Sequence, residues 1–142
     1  MSNPSIRIKK IWEDETLLEC FLEFLTTSSK VSLDIYTTKA DLEELRQGII
    51  HFSPDIANEF RWTSGANTDD STHYLSVRFF NHSNRGHVAL EIILDNKQEV
   101  PESLHSHFYI LTELNQLDEF SRKLKQLINE EVSEIEGLLA TS

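Results

Sequence analysis

Two stretches of alternating hydrophobic and polar residues flank a short polar segment near the middle of the chain. Residues 74–80 read YLSVRFF, and residues 87–95 read HVALEIILD. The segment between them contains Asn84 and Gly86, residue types that favour the backbone of a tight turn. The pattern therefore predicts a β-hairpin over residues 74–95.

The alternation also predicts which face of this hairpin is buried. The register that places the apolar side chains on one face pairs Leu75 with Ile92, Val77 with Leu90, and Phe79 with Val88. The intervening side chains then lie on the opposite face, and these are Ser76, Arg78, Ala89 and Glu91.

Further strands follow from similar patterns at residues 6–11, 31–36, 60–64 and 103–112. In the last of these, Phe108 and Ile110 are expected to pair with Leu90 and Val88. Residues 17–26 are apolar at too many positions for periodicity to separate a strand from a short helix. We favour a strand, because the Thr and Ser residues that follow form a turn into the next strand.

A period of three to four residues predicts two helices. The first spans residues 39–50, with Thr38 as its N-cap and with Leu42, Leu45 and Ile49 on one face. The second is the longest element, and its apolar stripe is wide enough to cover a sheet face: Leu117, Phe120, Leu124, Leu127, Ile128, Val132 and Ile135.

These elements predict an α+β fold. We expect an antiparallel or mixed sheet of about six to seven strands and two main helices, with the C-terminal helix packed on one sheet face. The chain has no internal repeat, low-complexity tract or linker rich in Pro and Gly, so residues 1–142 are expected to form a single domain.

The charge of the chain narrows the range of partners. The formal net charge is −11 at pH 7, which disfavours binding to nucleic acid or to an anionic membrane surface and favours a basic protein partner. Cys20 is the only cysteine, which fits a reducing compartment. No segment has the length of a signal peptide or a membrane span, so we expect a cytoplasmic protein.

No sequence motif indicates catalysis or a cofactor. The four glycines do not form a phosphate-binding loop, and no nucleophile elbow is present. We therefore expect a protein that is not an enzyme and that carries no cofactor.

Two surfaces are candidates for partner binding. The first is the polar side of the predicted sheet, where Tyr and Arg are residue types enriched at protein interfaces; its residues are Arg78, Glu91, His107 and Tyr109. The second is the polar side of the first helix, with the carboxylates of Asp41, Glu43 and Glu44.

An alternative function uses the same sheet face for a small ligand or a metal ion. His105 and His107 are two residues apart and thus share a strand face, with His107 expected opposite Glu91. Two imidazoles and a carboxylate are suitable zinc ligands. A solvated Glu–His pair explains the same residues, so no metal is predicted.

Three segments of the chain read IYTTKADLEELRQGI, FRWTSG and GHVALEIILDN. They resemble parts of small acidic bacterial proteins of uncharacterised type, some of which resemble immunity proteins of polymorphic toxin systems, and the resemblance extends over roughly residues 35–127. It implies a non-catalytic protein that binds and neutralises a partner, and an acidic surface suits a basic toxin. The resemblance brings no catalytic residues.

Overall fold

The computed structural model describes residues 5–52, 59–83 and 86–138. These residues form two helices and eight strands, arranged as two antiparallel sheets of four strands each. The α+β class, the antiparallel pairing and the two helices are confirmed, whereas the single sheet of six to seven strands is wrong. In chain order the elements are β1 (Ser5–Glu13), β2 (Leu18–Leu25), β3 (Lys30–Thr37), α1 (Lys39–His51), β4 (Glu59–Gly65), β5 (Tyr74–Asn81), β6 (His87–Asp95), β7 (His105–Glu113), α2 (Leu114–Ile128) and β8 (Glu134–Gly137).

The first sheet has the strand order β3-β2-β1-β8. Short turns join β1, β2 and β3, and in the first turn Asp14 Oδ1 accepts the backbone N–H groups of Thr16 and Leu17. Alternate residues face the core, as in the row that places Leu22 between Ile8 and Leu33. The strand predicted at residues 17–26 is confirmed as β2.

The last element of this sheet corrects the predicted length of the C-terminal helix. Helix α2 ends at Ile128, and Glu130 then adopts a positive φ of 63°. Ile135, expected on the helix, lies instead in β8 directly opposite Ile8 and is buried, whereas Val132 is exposed. The apolar spacing continues past Ile128, but the chain reverses direction there.

The second sheet has the order β4-β5-β6-β7. Its central hairpin pairs Leu75 with Leu94, Val77 with Ile92, and Phe79 with Leu90. In β7, Ile110 lies opposite Leu90, and Phe108 lies opposite Ile92. Both registers differ from the predicted ones by two residues, which leaves every side chain on its predicted face. Asn84, expected in the turn, lies outside the described residues.

Each helix leads from one sheet to the other, α1 from β3 to β4 and α2 from β7 to β8. Buried side chains of both sheets and both helices form one hydrophobic cluster. Phe24 of β2 and Phe108 of β7 meet edge to face across it, with ring centroids 5.7 Å apart. Helix α2 packs against α1 and against β8 of the first sheet, and it directly follows β7 of the second sheet in the chain.

The position of α1 matters for the candidate surfaces. Trp62 of β4, whose side chain lies in the core, donates its indole N–H to the backbone carbonyl of Asp41 at 3.0 Å. Helix α1 therefore lies on the core side of the second sheet, and within the described ranges the other side of that sheet is open. No helix in the described part of the chain is long and apolar enough to span a membrane.

Candidate functional site

A row of four residues crosses the open side of the second sheet. Arg61, Arg78, Glu91 and Tyr109 lie directly opposite one another on β4, β5, β6 and β7. Strand alternation places them there, because their neighbours Trp62, Val77, Ile92 and Ile110 point into the core. We call the open side of β4 to β7 around this row the Glu91 face.

The carboxylate of Glu91 joins three side chains of this surface. Arg78 Nε donates to Glu91 Oε1 at 2.7 Å. On the other oxygen, His107 Nε2 lies 2.7 Å from Oε2, and the Tyr109 hydroxyl donates to Oε2 at 3.1 Å. The side chain of Glu91 is only 13% exposed, so the carboxylate is sheltered by its own partners.

These hydrogen bonds determine the charge of the carboxylate. The bond from Arg78, followed by the contact with His107, lowers the pKa of Glu91 from 4.5 to about 2. The hydrogen bond between Arg78 and Glu91 raises the pKa of Arg78, and the hydrogen bond from Tyr109 to Glu91 raises the pKa of the Tyr109 hydroxyl. Glu91 therefore stays ionised at acidic pH values at which an ordinary glutamate takes up a proton.

Aromatic contacts hold the remaining parts of the cluster in place. The Arg78 guanidinium carbon lies 4.2 Å from the centroid of the Phe80 ring, a cation–π contact. Phe80 in turn meets Tyr109 edge to face, with centroids 6.4 Å apart. Arg78 Nη1 is also 3.7 Å from a carboxylate oxygen of Glu59. Each side chain of the cluster thus has at least two neighbours that restrict its rotamer.

The outer part of the Glu91 face is aromatic and aliphatic. Tyr109 is 54% exposed, and Leu111 on the same strand is also exposed. Ser76 and Ala89 lie on this side, as predicted, but both are buried. Arg61 Nη1 donates to the hydroxyl of Ser76 at 3.2 Å.

The sheet candidate predicted from the sequence is thus assembled in the structure: Arg78, Glu91, His107 and Tyr109 form one contact network. Tyr109, not His107, lies directly opposite Glu91, and His107 reaches the carboxylate along the diagonal from its place opposite Ile93. Sequence reasoning did not single out four further residues of the Glu91 face, although each occupies an outward position of its strand: Glu59, Arg61, Phe80 and Leu111.

The acidic residues of α1 form a separate surface on the other side of the second sheet. The backbone N–H of Asp41 donates to the Thr38 hydroxyl, which confirms the N-cap. Glu43 accepts hydrogen bonds from Arg46 at 3.0 Å and Gln47 at 2.7 Å, and these bonds lower its pKa. Glu44 is exposed, and within the described ranges no side chain pairs with it.

His105 and His107 contact different carboxylates. His105 Nδ1 lies 3.4 Å from Asp95 Oδ2, whereas His107 contacts Glu91. Between them runs a shallow groove of about 280 Å³ that both histidines line. Residues 5–52, 59–83 and 86–138 contain no group of three or more His, Cys, Asp or Glu side chains that could hold a metal ion.

Cys20 has no part in these surfaces. Its side chain is fully buried in the first sheet, and burial raises the pKa of the thiol to about 11. A protonated, inaccessible thiol is a packing residue rather than a nucleophile.

The fold and this surface define an α+β protein of two antiparallel sheets, one of which exposes an ordered polar and aromatic face. Comparison with protein families, curated proteins and solved structures finds no match to this chain.

Proposed function

We propose that this protein is a non-catalytic protein-binding module and that the Glu91 face is its binding surface. The observation that carries the proposal is the position of Tyr109, which is largely exposed yet bonded through its hydroxyl to a sheltered carboxylate. Tyr and Arg are the residue types that most often dominate binding energy at protein interfaces.

Preorganisation supports the same reading. Binding usually has to immobilise interface side chains, at about 0.5–1.5 kcal/mol for each flexible one. Arg78 and Tyr109 are already held by Glu91 and by the Phe80 ring. A partner that contacts them avoids most of this entropy loss, and an open sheet face suits the broad surface of another protein.

Charge supports a basic partner by a different route. The charge at the centre of the Glu91 face is nearly balanced, because Arg61 and Arg78 lie beside Glu59 and Glu91. The net charge of −11 therefore arises mainly elsewhere, for example on Asp41 and Glu44. We propose that this acidic field steers a basic partner, such as the toxin of an immunity-type pair, towards the molecule.

Capture from a lysate of the native cell tests this proposal with two matched variants. Tyr109→Ala removes the exposed tyrosine of the Glu91 face, and Tyr36→Ala removes a tyrosine of the first sheet that is 44% exposed. We expect one protein to be retained by the wild type and by Tyr36→Ala, and its affinity for Tyr109→Ala to fall by about 30-fold, or about 2 kcal/mol.

Salt dependence provides the second readout of this experiment. The association rate of the captured partner should fall as ionic strength rises, because long-range steering is screened. Equal retention by both tyrosine variants would exclude the Glu91 face as the binding surface, and failure to retain any specific protein would argue against a binding module.

A second candidate function is binding of a small ligand or metal ion through His105 and His107. The groove of about 280 Å³ that both residues line favours it. Zinc titration followed by NMR tests it: shifts confined to this groove at equimolar metal, and lost in His105→Ala, are expected. Unchanged spectra of the wild type would eliminate the metal version.

A further inference from the structure

Strand β7 is an unusual edge strand. It is nine residues long and reads HSHFYILTE, with no Lys, Arg, Asp, Pro or Gly and with Glu113 only at its end. The other edge strands within the described ranges carry protection: Asp34 lies inside β3, Arg61 lies inside β4, and β8 has only four residues. Proteins usually protect exposed edges with charges or short strands, because an unprotected edge pairs with another strand.

The two ends of the β6–β7 ladder identify which backbone groups of β7 point away from β6. Asn96 N–H donates to the Leu104 carbonyl, and Leu114 N–H donates to the Gly86 carbonyl. Hydrogen-bonded pairs alternate along an antiparallel ladder, so the even-numbered residues of β7 bond to β6. The odd-numbered residues direct their N–H and C=O groups outward, and these are His105, His107, Tyr109, Leu111 and Glu113.

Nothing in the described part of the chain bonds to these outward groups. Four of the five residues, all except Glu113, are also exposed through their side chains. Within the described residues, the strand therefore presents an unpaired hydrogen-bonding edge along its whole length, next to an exposed aromatic surface.

We propose that this edge pairs with β7 of a second copy of the chain, antiparallel, about a two-fold axis at Tyr109. Tyr109 is the midpoint of the strand, so this register alone pairs all nine residues. It also pairs odd residues with odd residues, as the outward groups require. An axis at Leu111 would run the strand into α2, which begins at Leu114, and an axis at His107 would leave the end of β7 unpaired.

Charge complementarity supports the same register. His105 of one copy lies opposite Glu113 of the other at both ends of the joint ladder, and His107 lies opposite Leu111. The two Tyr109 side chains are cross-strand neighbours at the axis. An imidazole facing a carboxylate and an aromatic pair are favourable cross-strand combinations, and no like charges meet.

Such a dimer joins the two second sheets into one continuous sheet and places the two Glu91 faces side by side. A two-fold interface of this kind is the commonest form of homo-oligomer. The inference rests on the edge of β7 and not on the proposed function, since it holds whether or not the Glu91 face binds another protein.

Disulfide trapping tests the register directly. In the proposed pair the two Tyr109 Cα atoms are roughly 5.5 Å apart, within the span of a disulfide. We expect Tyr109→Cys to form a covalent dimer under mild oxidation. Leu111→Cys is the matched control, because its two copies would be about 14 Å apart along the strands. The wild type controls for Cys20, which is buried.

Sedimentation equilibrium provides an independent measurement. The wild type should be a dimer, and Leu111→Lys should weaken its association by roughly tenfold or more, because it places a charge on the paired edge. Leu17→Lys is the control, since Leu17 is 40% exposed and Leu111 is 42% exposed. Circular dichroism confirms that each variant is folded.

Several results would overturn the proposal. A wild type that remains monomeric at millimolar concentration excludes the dimer and leaves the edge to a strand of another protein. Equal cross-linking of Tyr109→Cys and Leu111→Cys excludes the register. A dimer that Leu111→Lys and Leu17→Lys weaken equally does not use this edge.

Discussion

Arg78 and Glu91 lie directly opposite each other on β5 and β6, and the Arg78 Nε donates to Glu91 Oε1 at 2.7 Å. The pair is partly sheltered from water, and the second carboxylate oxygen also has partners, His107 and Tyr109. One acidic side chain therefore fixes the positions of three neighbours from two other strands. Changes at Glu91 should affect both the stability of the sheet and the order of its open face.

Replacing Glu91 by Gln should destabilise the fold by about 1–3 kcal/mol, because hydrogen bonds to a charged group are lost or weakened. The free energy of unfolding in urea measures the effect. Glu59→Gln is the control, since Glu59 is exposed and lies 3.7 Å from Arg78, beyond hydrogen-bond distance. This substitution should lower the free energy of unfolding by no more than about 0.5 kcal/mol. Equal effects of the two substitutions would show that Glu91 is not the centre of the network.

The contribution of Glu91 should also depend on pH. Its pKa is lowered from 4.5 to about 2 in the folded protein, so the unfolded chain takes up the proton first as the pH falls. The stabilising effect is therefore fully present above about pH 4.5 and is lost as the pH falls towards 2. The stability difference between the wild type and Glu91→Gln should shrink across this window. A difference that stays constant from neutral pH to pH 2.5 would contradict the lowered pKa.

The Glu91 face also shows what sequence reasoning could and could not reach. Alternation of side chains predicts which residues share a face, and it correctly placed Arg78, Glu91, His107 and Tyr109 together. It does not predict the register, because a shift of two residues keeps every side chain on the same face. Leu75 therefore pairs with Leu94, whereas the predicted partner was Ile92.

Gly65 and Gly86 provide a matched pair of glycine substitutions. Both have positive φ, 76° and 83°, so alanine is strained at either position by about 1–2 kcal/mol. A Cβ at Gly65 would also collide with the backbone carbonyl of His73, whereas at Gly86 the nearest atom is Leu114 Cδ1 at 3.8 Å. Gly65→Ala should therefore cost about 1–3 kcal/mol more than Gly86→Ala. Thermal or urea unfolding of the two variants measures this difference, and equal costs would contradict the close approach at His73.

Two errors in the predicted fold have a common physical origin. The predicted number of sheets was wrong because local patterns show that strands exist but not which strands pair. The chain passes from one sheet to the other at α1 and again at α2. The predicted length of α2 was wrong because Val132 and Ile135 continue the helical spacing of three and four residues. In the structure Val132 lies after the end of α2, and Ile135 lies in β8. The positive φ of Glu130 separates them.

Two substitutions after α2 test this corrected boundary. Ile135 is buried opposite Ile8 in β8, so Ile135→Ala should destabilise the fold by about 2–4 kcal/mol through the cavity it leaves. Val132 belongs to the same apolar spacing but is exposed between α2 and β8, so Val132→Ala should change the stability by less than about 0.5 kcal/mol. A helix continuing through both residues would bury both on one stripe. Comparable losses in urea unfolding would therefore favour the longer helix and contradict β8, whereas a large loss at Ile135 alone supports the reversal of the chain after Ile128.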